Sequence, residues 1–138
     1  MTDDTQRLVE YRLAQARETL EAGQELLAAD HYRDAINRAY YAMFYGALGL
    51  LAARQLGSSK HAGVLRLFGE HFVKTGEFAS GKAVYFRRAF DLRQKCDYRE
   101  FVEPDQRQAE ETLLHAEQFL SEAKHTWDQM RGGDVGQA

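Results

Sequence analysis

The sequence predicts an all-α fold, an up-and-down four-helix bundle with an additional short helix. Three observations predict it. Apolar residues recur at spacings of three and four along most of the 138 residues, the period of one helical face. There is one proline, Pro104, and little of the alternation that marks strands. Glycines gather at a few points and leave short connections, which favour antiparallel neighbours.

The elements follow in order. A first helix is expected from about Asp4 to Ala28, with Val9, Leu13, Ala16, Leu20 and Leu27 on its inner face. Gly23 weakens it by roughly 1 kcal/mol against alanine if exposed. Asp30 can cap the next helix through its carboxylate. That helix, His31 to about Gln55, is the most apolar and aromatic part of the chain. Ile36, Tyr40, Met43, Ala47 and Leu50 mark one face, and Phe44, Leu48 and Leu51 widen it, so neighbours must cover more than one side. Gly57 fits a C-terminal stop.

Ser58 or Ser59 can cap a third helix over about Lys60–Lys74, with Val64, Leu67, Phe68 and Phe72 inward and Gly76 ending it. A fourth, about Gly81–Tyr98, turns Ala83, Phe86, Ala89 and Phe90 inward. After a turn over 99–103, Pro104 suits a first helical position, where its missing N–H needs no partner. The last helix runs to about Met130 on Ala109, Leu113, Ala116, Leu120, Ala123 and Trp127. Residues 1–130 read as a single helical domain, and 131–138 as a disordered polar tail.

Composition excludes several functions. A net charge of −3 rules out a global basic field for nucleic acid and leaves room for a local patch. Cys96 is the only cysteine, so no disulfide framework exists, which fits a reducing compartment. No uncharged apolar run reaches the length of a membrane span. The acidic N-terminus lacks a signal-peptide core, and a cytoplasmic protein is expected. Glu122 and His125 form a single Glu-x-x-His, where a di-iron bundle needs two and further glutamates. No metal or other cofactor is expected.

Two polar constellations stand out. The segment RRAFDLRQKCDYRE concentrates charge, with Arg93 and Asp97 four apart on one helical face and Tyr98 about 100° further round. It reads either as a solvated helix end, whose cations suit the dipole, or as an anion site centred on Arg93. Asn37 and Arg38 interrupt the central apolar helix. Either Arg38 pairs with a bundle carboxylate and Asn37 faces water, or both meet Arg93 in a polar groove.

In this order, DAINRAYYAMFYGALGLL, SSKHAGVLRLFGEHFVKTGEF and AFDLRQKCDYREF resemble the HEPN domain, most closely its small stand-alone prokaryotic branch. The resemblance runs from about Leu8 to Trp127 and rests on NRAYYAMFY, KHAGV and LRQ-x-x-DY together. It implies a helical bundle, a homodimer, and a toxin–antitoxin role beside a minimal nucleotidyltransferase. Active members of the family are metal-independent ribonucleases. They use an arginine followed after four to six residues by a histidine, with two copies facing across the dimer. Histidine suits such proton transfer because its pKa lies near neutrality.

Arg93 matches that arginine, but Tyr98 stands where the histidine belongs, and no histidine lies between His71 and His115. A tyrosine, with a pKa of about 10, is a poor base at neutral pH. The resemblance therefore implies an Arg93-centred cleft for RNA or nucleotide. Asn37, Arg38 and Arg99 are further binding candidates, and Arg93, Asp97 and Tyr98 are the catalytic ones. In some family pairs the nucleotidyltransferase adds AMP to a tyrosine two residues past the histidine. Glu100 holds that place here, and Tyr98 is the nearest acceptor. The alternative is a non-catalytic helical dimer that binds a nucleotide or a protein.

Overall fold

The chain forms five helices: α1 (Asp3–Ala28), α2 (Tyr32–Ala53), α3 (His61–Phe68), α4 (Ser80–Tyr98) and α5 (Gln106–Gly136). A π-helical turn, Gly69–Val73, continues α3. The computed structural model describes residues 1–98 and 103–136, the last four by backbone alone. Among the described residues there is no strand. The all-α bundle that the periodicity predicts is the architecture observed, with α3 as the short extra helix.

Helix α2 lies at its centre and packs against α1, α3, α4 and α5. Ile36, Tyr40, Met43, Ala47, Leu50 and Leu51 are fully buried. Small residues let the helices close in. A Cβ on Gly46 would come within 2.9 Å of Leu120 Cδ2. One on Gly23 would meet Leu113 Cδ2 at 2.8 Å and Arg38 Cβ at 3.1 Å. Gly23 is therefore a close-approach point between α1, α2 and α5, and not the weak exposed position its propensity suggests.

A second part of the core is aromatic. Phe119 of α5 packs against Phe68, Phe78 and Phe86, with ring centroids 5.6, 4.8 and 5.6 Å away. Phe78 comes from the loop before α4, and its N–H donates to the Phe72 carbonyl (3.0 Å). Arg54, just past α2, lies over the Phe72 ring at 4.3 Å. It also donates to the His71 carbonyl and pairs with Glu77. One side chain thus serves a carbonyl in the π turn and ties α2 to it.

The helix ends depart from expectation in physically readable ways. Asp30 does not cap α2. It takes a left-handed φ of 65° and closes α1, with Asp30 N–H on the Leu27 carbonyl (2.9 Å) and His31 N–H on the Leu26 carbonyl (2.9 Å). Gln55, at φ 59°, closes α2 the same way through Gln55 N–H to Ala52 and Leu56 N–H to Leu51, both 2.9 Å. Gly57 is therefore not the stop. Both closures are Schellman motifs built without glycine. Gly76, at φ 80°, does take the left-handed geometry that ends the α3 segment.

Pro104 lies before the last helix's cap and not at its first position. Asp105 and Gln108 form a capping box, with Gln108 N–H on Asp105 Oδ1 (2.8 Å) and Asp105 N–H on Gln108 Oε1 (3.0 Å). Helix α5 passes Met130 and continues to Gly136. Each added residue extends its hydrogen-bond ladder, and no proline stops it.

Gln55 carries the clearest local cost, since a residue with a Cβ is disfavoured in the left-handed region by roughly 1–2 kcal/mol. Gln55→Gly is expected to stabilise the protein by about 0.5–1 kcal/mol after the extra entropy of the unfolded glycine. A urea unfolding midpoint that stays level or falls would contradict this reading of the α2 end.

Candidate functional site

The site grows out of the first half of α2. Tyr40 is fully buried, and a phenol cannot be buried without a partner for its hydroxyl. That partner is His61, the first residue of α3, with Tyr40 Oη 2.8 Å from His61 Nδ1. Around the Tyr40 ring stand Tyr41 (5.1 Å), His61 (5.7 Å), Phe86 (5.9 Å) and Phe90 (6.0 Å). The imidazole also packs on Phe44 at 4.4 Å and edge-on against Tyr41 at 5.7 Å.

Arg93 of α4 lies on this aromatic floor. Its Cζ is 5.0 Å from the Tyr40 centroid and 5.2 Å from that of Tyr41. Arg38 Cζ is also 5.2 Å from the Tyr41 ring. Both arginines therefore border one aromatic side chain, Tyr41. Asn37 Oδ1 accepts from Arg38 Nη2 (2.7 Å) and Nε (3.3 Å), holding that guanidinium in place.

Asp97 Oδ2 is 3.3 Å from Arg93 Nε, one turn along α4. The contact is ionic without hydrogen-bond alignment, so the buried Nε–H has no hydrogen-bond partner among the described residues. The Arg93 side chain is only 13% exposed. The planar fork of guanidinium donors matches oxyanions such as carboxylate and phosphate.

The histidine environment follows from the packing. Burial, then the charge of Arg93, lowers the His61 pKa below 6.5. Burial raises the Tyr40 pKa, against a smaller lowering by Arg93, so the phenol stays protonated. The site at neutral pH thus holds a neutral imidazole, a neutral phenol and two guanidinium groups.

Not every sequence candidate joins this group. The Tyr98 side chain is 74% exposed and lines an open cleft with Asp91, Gln94 and Lys95. No ring contact or hydrogen bond links it to Arg93, Arg38 or Asn37 among the described residues. Arg99 lies outside the described residues. An apolar groove of about 510 Å³ opens between α3 and α4.

Other candidates resolve plainly. Among the described residues, no three His, Cys, Asp or Glu side chains gather as metal ligands. Glu122 pairs with Lys82 at 3.5 Å. Cys96 is buried, and burial raises its pKa, which disfavours the thiolate. Among the described residues, no helix is long and apolar enough to cross a membrane. Sequence reading missed His61, Tyr40 and Tyr41 as site residues. His61 stands 21 residues beyond Tyr40, and only the return of α3 against α2 joins them.

The HEPN domain family model matches residues 9–126. This chain belongs to the HEPN domain family. It is 37% identical to a UPF0332 protein of Thermotoga maritima over 118 residues, covering 86% of this chain and 89% of that one. It is also similar to two proteins of Methanocaldococcus jannaschii, each named "Putative toxin". One is 36% identical over 122 residues, covering 88% of this chain and 87% of the other, and the second is 34% identical over 118 residues, covering 86% and 80%. Within this HEPN chain, Arg38, Tyr41, Arg93 and His61 occupy the segments by which the sequence resembles the family.

A second histidine behaves like His61. The His115 ring stacks on Tyr85 at 3.9 Å, and burial lowers its pKa below 6.5 despite Glu111. Both folded values lie below the unfolded value, so the unfolded chain takes up protons first as pH falls. The stability involved is fully present above about pH 6.5 and is lost as pH falls through the folded values. Unfolding free energy is therefore expected to drop from about pH 7.5 to about pH 5.5, and His61→Gln should flatten part of that slope. A His61 NMR titration midpoint at or above 6.5 would refute the assignment.

Proposed function

We propose that this HEPN protein is the toxin-type member of a two-protein module and engages RNA phosphate at Arg93. The observation that carries the reading is the placing of Arg38 and Arg93 beside the one Tyr41 ring, with the Arg93 Nε–H lacking a hydrogen-bond partner among the described residues. Two cations beside the half-buried Tyr41 ring match a phosphodiester and its base, since bases of single-stranded RNA stack on aromatic rings and guanidinium planes. The toxin-type role rests on the names carried by the Methanocaldococcus jannaschii relatives.

Two copies form the working unit. A second copy faces the exposed side of α4 near Arg93 and completes the site. A minimal nucleotidyltransferase acts as the antitoxin partner, in the cytoplasm. Tyr98 is the acceptor for AMP, because it is exposed on α4 five residues past Arg93. A non-catalytic binding module is the second reading, favoured by tyrosine in place of histidine at position 98.

Induced expression in bacteria is expected to arrest growth, and co-expression of the nucleotidyltransferase to relieve the arrest. Purified Arg93→Ala should bind short single-stranded RNA at least about tenfold more weakly, with a reduced salt dependence, as one phosphate contact is lost. Unchanged RNA affinity in that variant would remove Arg93 from the site. With partner and ATP, intact-mass analysis should show one AMP added to the wild type and none to Tyr98→Phe. Equal labelling of both would place the acceptor elsewhere.

A further inference from the structure

We propose that the pocket between the start of α1 and the end of α2 binds a small carboxylate with an aliphatic body, held at its charged end by Arg12. The pocket has a volume of about 450 Å³ and lies where residues 55–58 leave α2. Leu8, Leu48 and Leu56 supply apolar walls, and no Asp or Glu lines it. Among the described residues, Arg12 is the only charged side chain that does. Asp3 and Asp4, in the first turn of α1, are exposed and stay outside the lining.

Arg12 stands apart from the other half-buried cations. Arg33 pairs with Glu103, Arg54 with Glu77, Lys82 with Glu122 and Arg93 with Asp97, while Arg38 donates to Asn37. Cations that lose water usually gain such a partner. Arg12 is half-buried too, yet it makes no ion pair, hydrogen bond or ring contact among the described residues. A long side chain can also lay its stem on apolar surface and keep its head in water. The stem of Arg12 fits that arrangement, because a Cβ on Gly49 would lie 3.4 Å from Arg12 Cβ, so α2 comes close beneath it. The head does not. Its Nε is buried and unbonded, so the guanidinium is partly withdrawn from water. The two Nη nitrogens are neither bonded nor buried, and they are the donors a ligand can reach.

The lining sets the ligand class. Paired guanidinium nitrogens match the two oxygens of a carboxylate, and one cation balances its one negative charge. Thr5 and Ser58 also line the pocket and add neutral donors. Thr5 Oγ1 accepts from Thr2 Oγ1 (2.9 Å), and Ser58 Oγ accepts from the Lys60 N–H (3.1 Å), so each keeps its own O–H free. The leucines decide the rest of the molecule, since an aliphatic body gains up to about fourfold in affinity per methylene buried against them. Apolar walls with a few placed polar groups are the usual make-up of a small-molecule site.

The test titrates the full chain with butyrate, hexanoate and octanoate, and with octanol, by calorimetry and by amide NMR shifts. Octanoate is expected to saturate one site per chain and to shift the amides of Gly49, Gly57 and Ser58. Affinity should rise about two- to fourfold per methylene along the series. Octanol has the same body without the charge and should bind at least about tenfold more weakly. Arg12→Gln should erase that preference, so that octanoate and octanol bind alike. Leu8→Glu changes an exposed position and sets a like charge at the pocket. It should weaken octanoate more than octanol, providing a reading if Arg12→Gln folds poorly.

Octanoate binding that is unchanged in Arg12→Gln, octanol binding as tight as octanoate, or amide shifts that gather elsewhere would each overturn the proposal. So would a chain that octanoate does not saturate, including one that accepts only the carboxyl terminus of a peptide. None of these outcomes touches the Arg93 reading, because Arg12 lines a pocket at the last turns of α2 and Arg93 lies over Tyr40 and Tyr41 in its first half.

Discussion

A buried phenol must find a hydrogen-bond partner, and Tyr40 sits in the middle of this bundle with no exposed surface. Its bond to His61 therefore does two things at once. It satisfies the hydroxyl, and it fixes where the first turn of α3 meets α2. The same ring carries the Arg93 guanidinium, whose attraction to an aromatic face contributes about 0.5–2 kcal/mol. Core and site thus share one side chain. A change at Tyr40 disturbs the α2–α3 contact, the imidazole and the arginine together, whereas a change at Met43 or Ala47 disturbs packing alone.

The neighbourhood of Tyr41 is electrostatically unsettled by construction. Two guanidinium groups drawn to one ring repel each other. Asn37 offsets this for Arg38 by accepting two of its donors, and Asp97 offsets it for Arg93 by charge alone. An unsatisfied buried donor such as Arg93 Nε costs about 1–3 kcal/mol. A purely structural bundle gains nothing from that cost, and an apolar residue at position 93 would pack on the same rings without it. The buried Nε–H is therefore a local cost within the bundle.

Most of the bundle is legible in the sequence because burial on a helix obeys a fixed period. Ala109, Leu113, Ala116, Leu120, Ala123 and Trp127 read as one face and are one buried face. Helix ends are less legible. Asp30 and Gln55 take left-handed geometry because the backbone bonds of a Schellman closure outweigh the cost of a Cβ there, and no residue type announces it. Phe78 escapes periodicity because it packs from a loop. For the site, Arg93, Asp97, Arg38 and Asn37 are legible as polar interruptions of apolar faces. His61 is not, because its role comes from a tertiary contact between helices that no spacing encodes.

The geometry of α4 also changes what the tyrosine at position 98 signifies. Arg93 and Asp97 are one turn apart and share a face, whereas position 98 is five residues on, about 140° round the axis. Tyr98 accordingly joins Asp91, Gln94 and Lys95 on an open strip, away from the rings that carry Arg93. A histidine placed at 98 would share that strip. Within one copy it would stand apart from Tyr40 and Tyr41, and it could meet an Arg93 only where another molecule faces this one. The substitution therefore alters the open strip of α4 and leaves Arg93, its aromatic floor and the neighbouring imidazole in place. A missing histidine in the linear motif is not the same as a missing histidine at the arginine. In this chain the two come apart, because α3 brings His61 to the rings on which Arg93 rests.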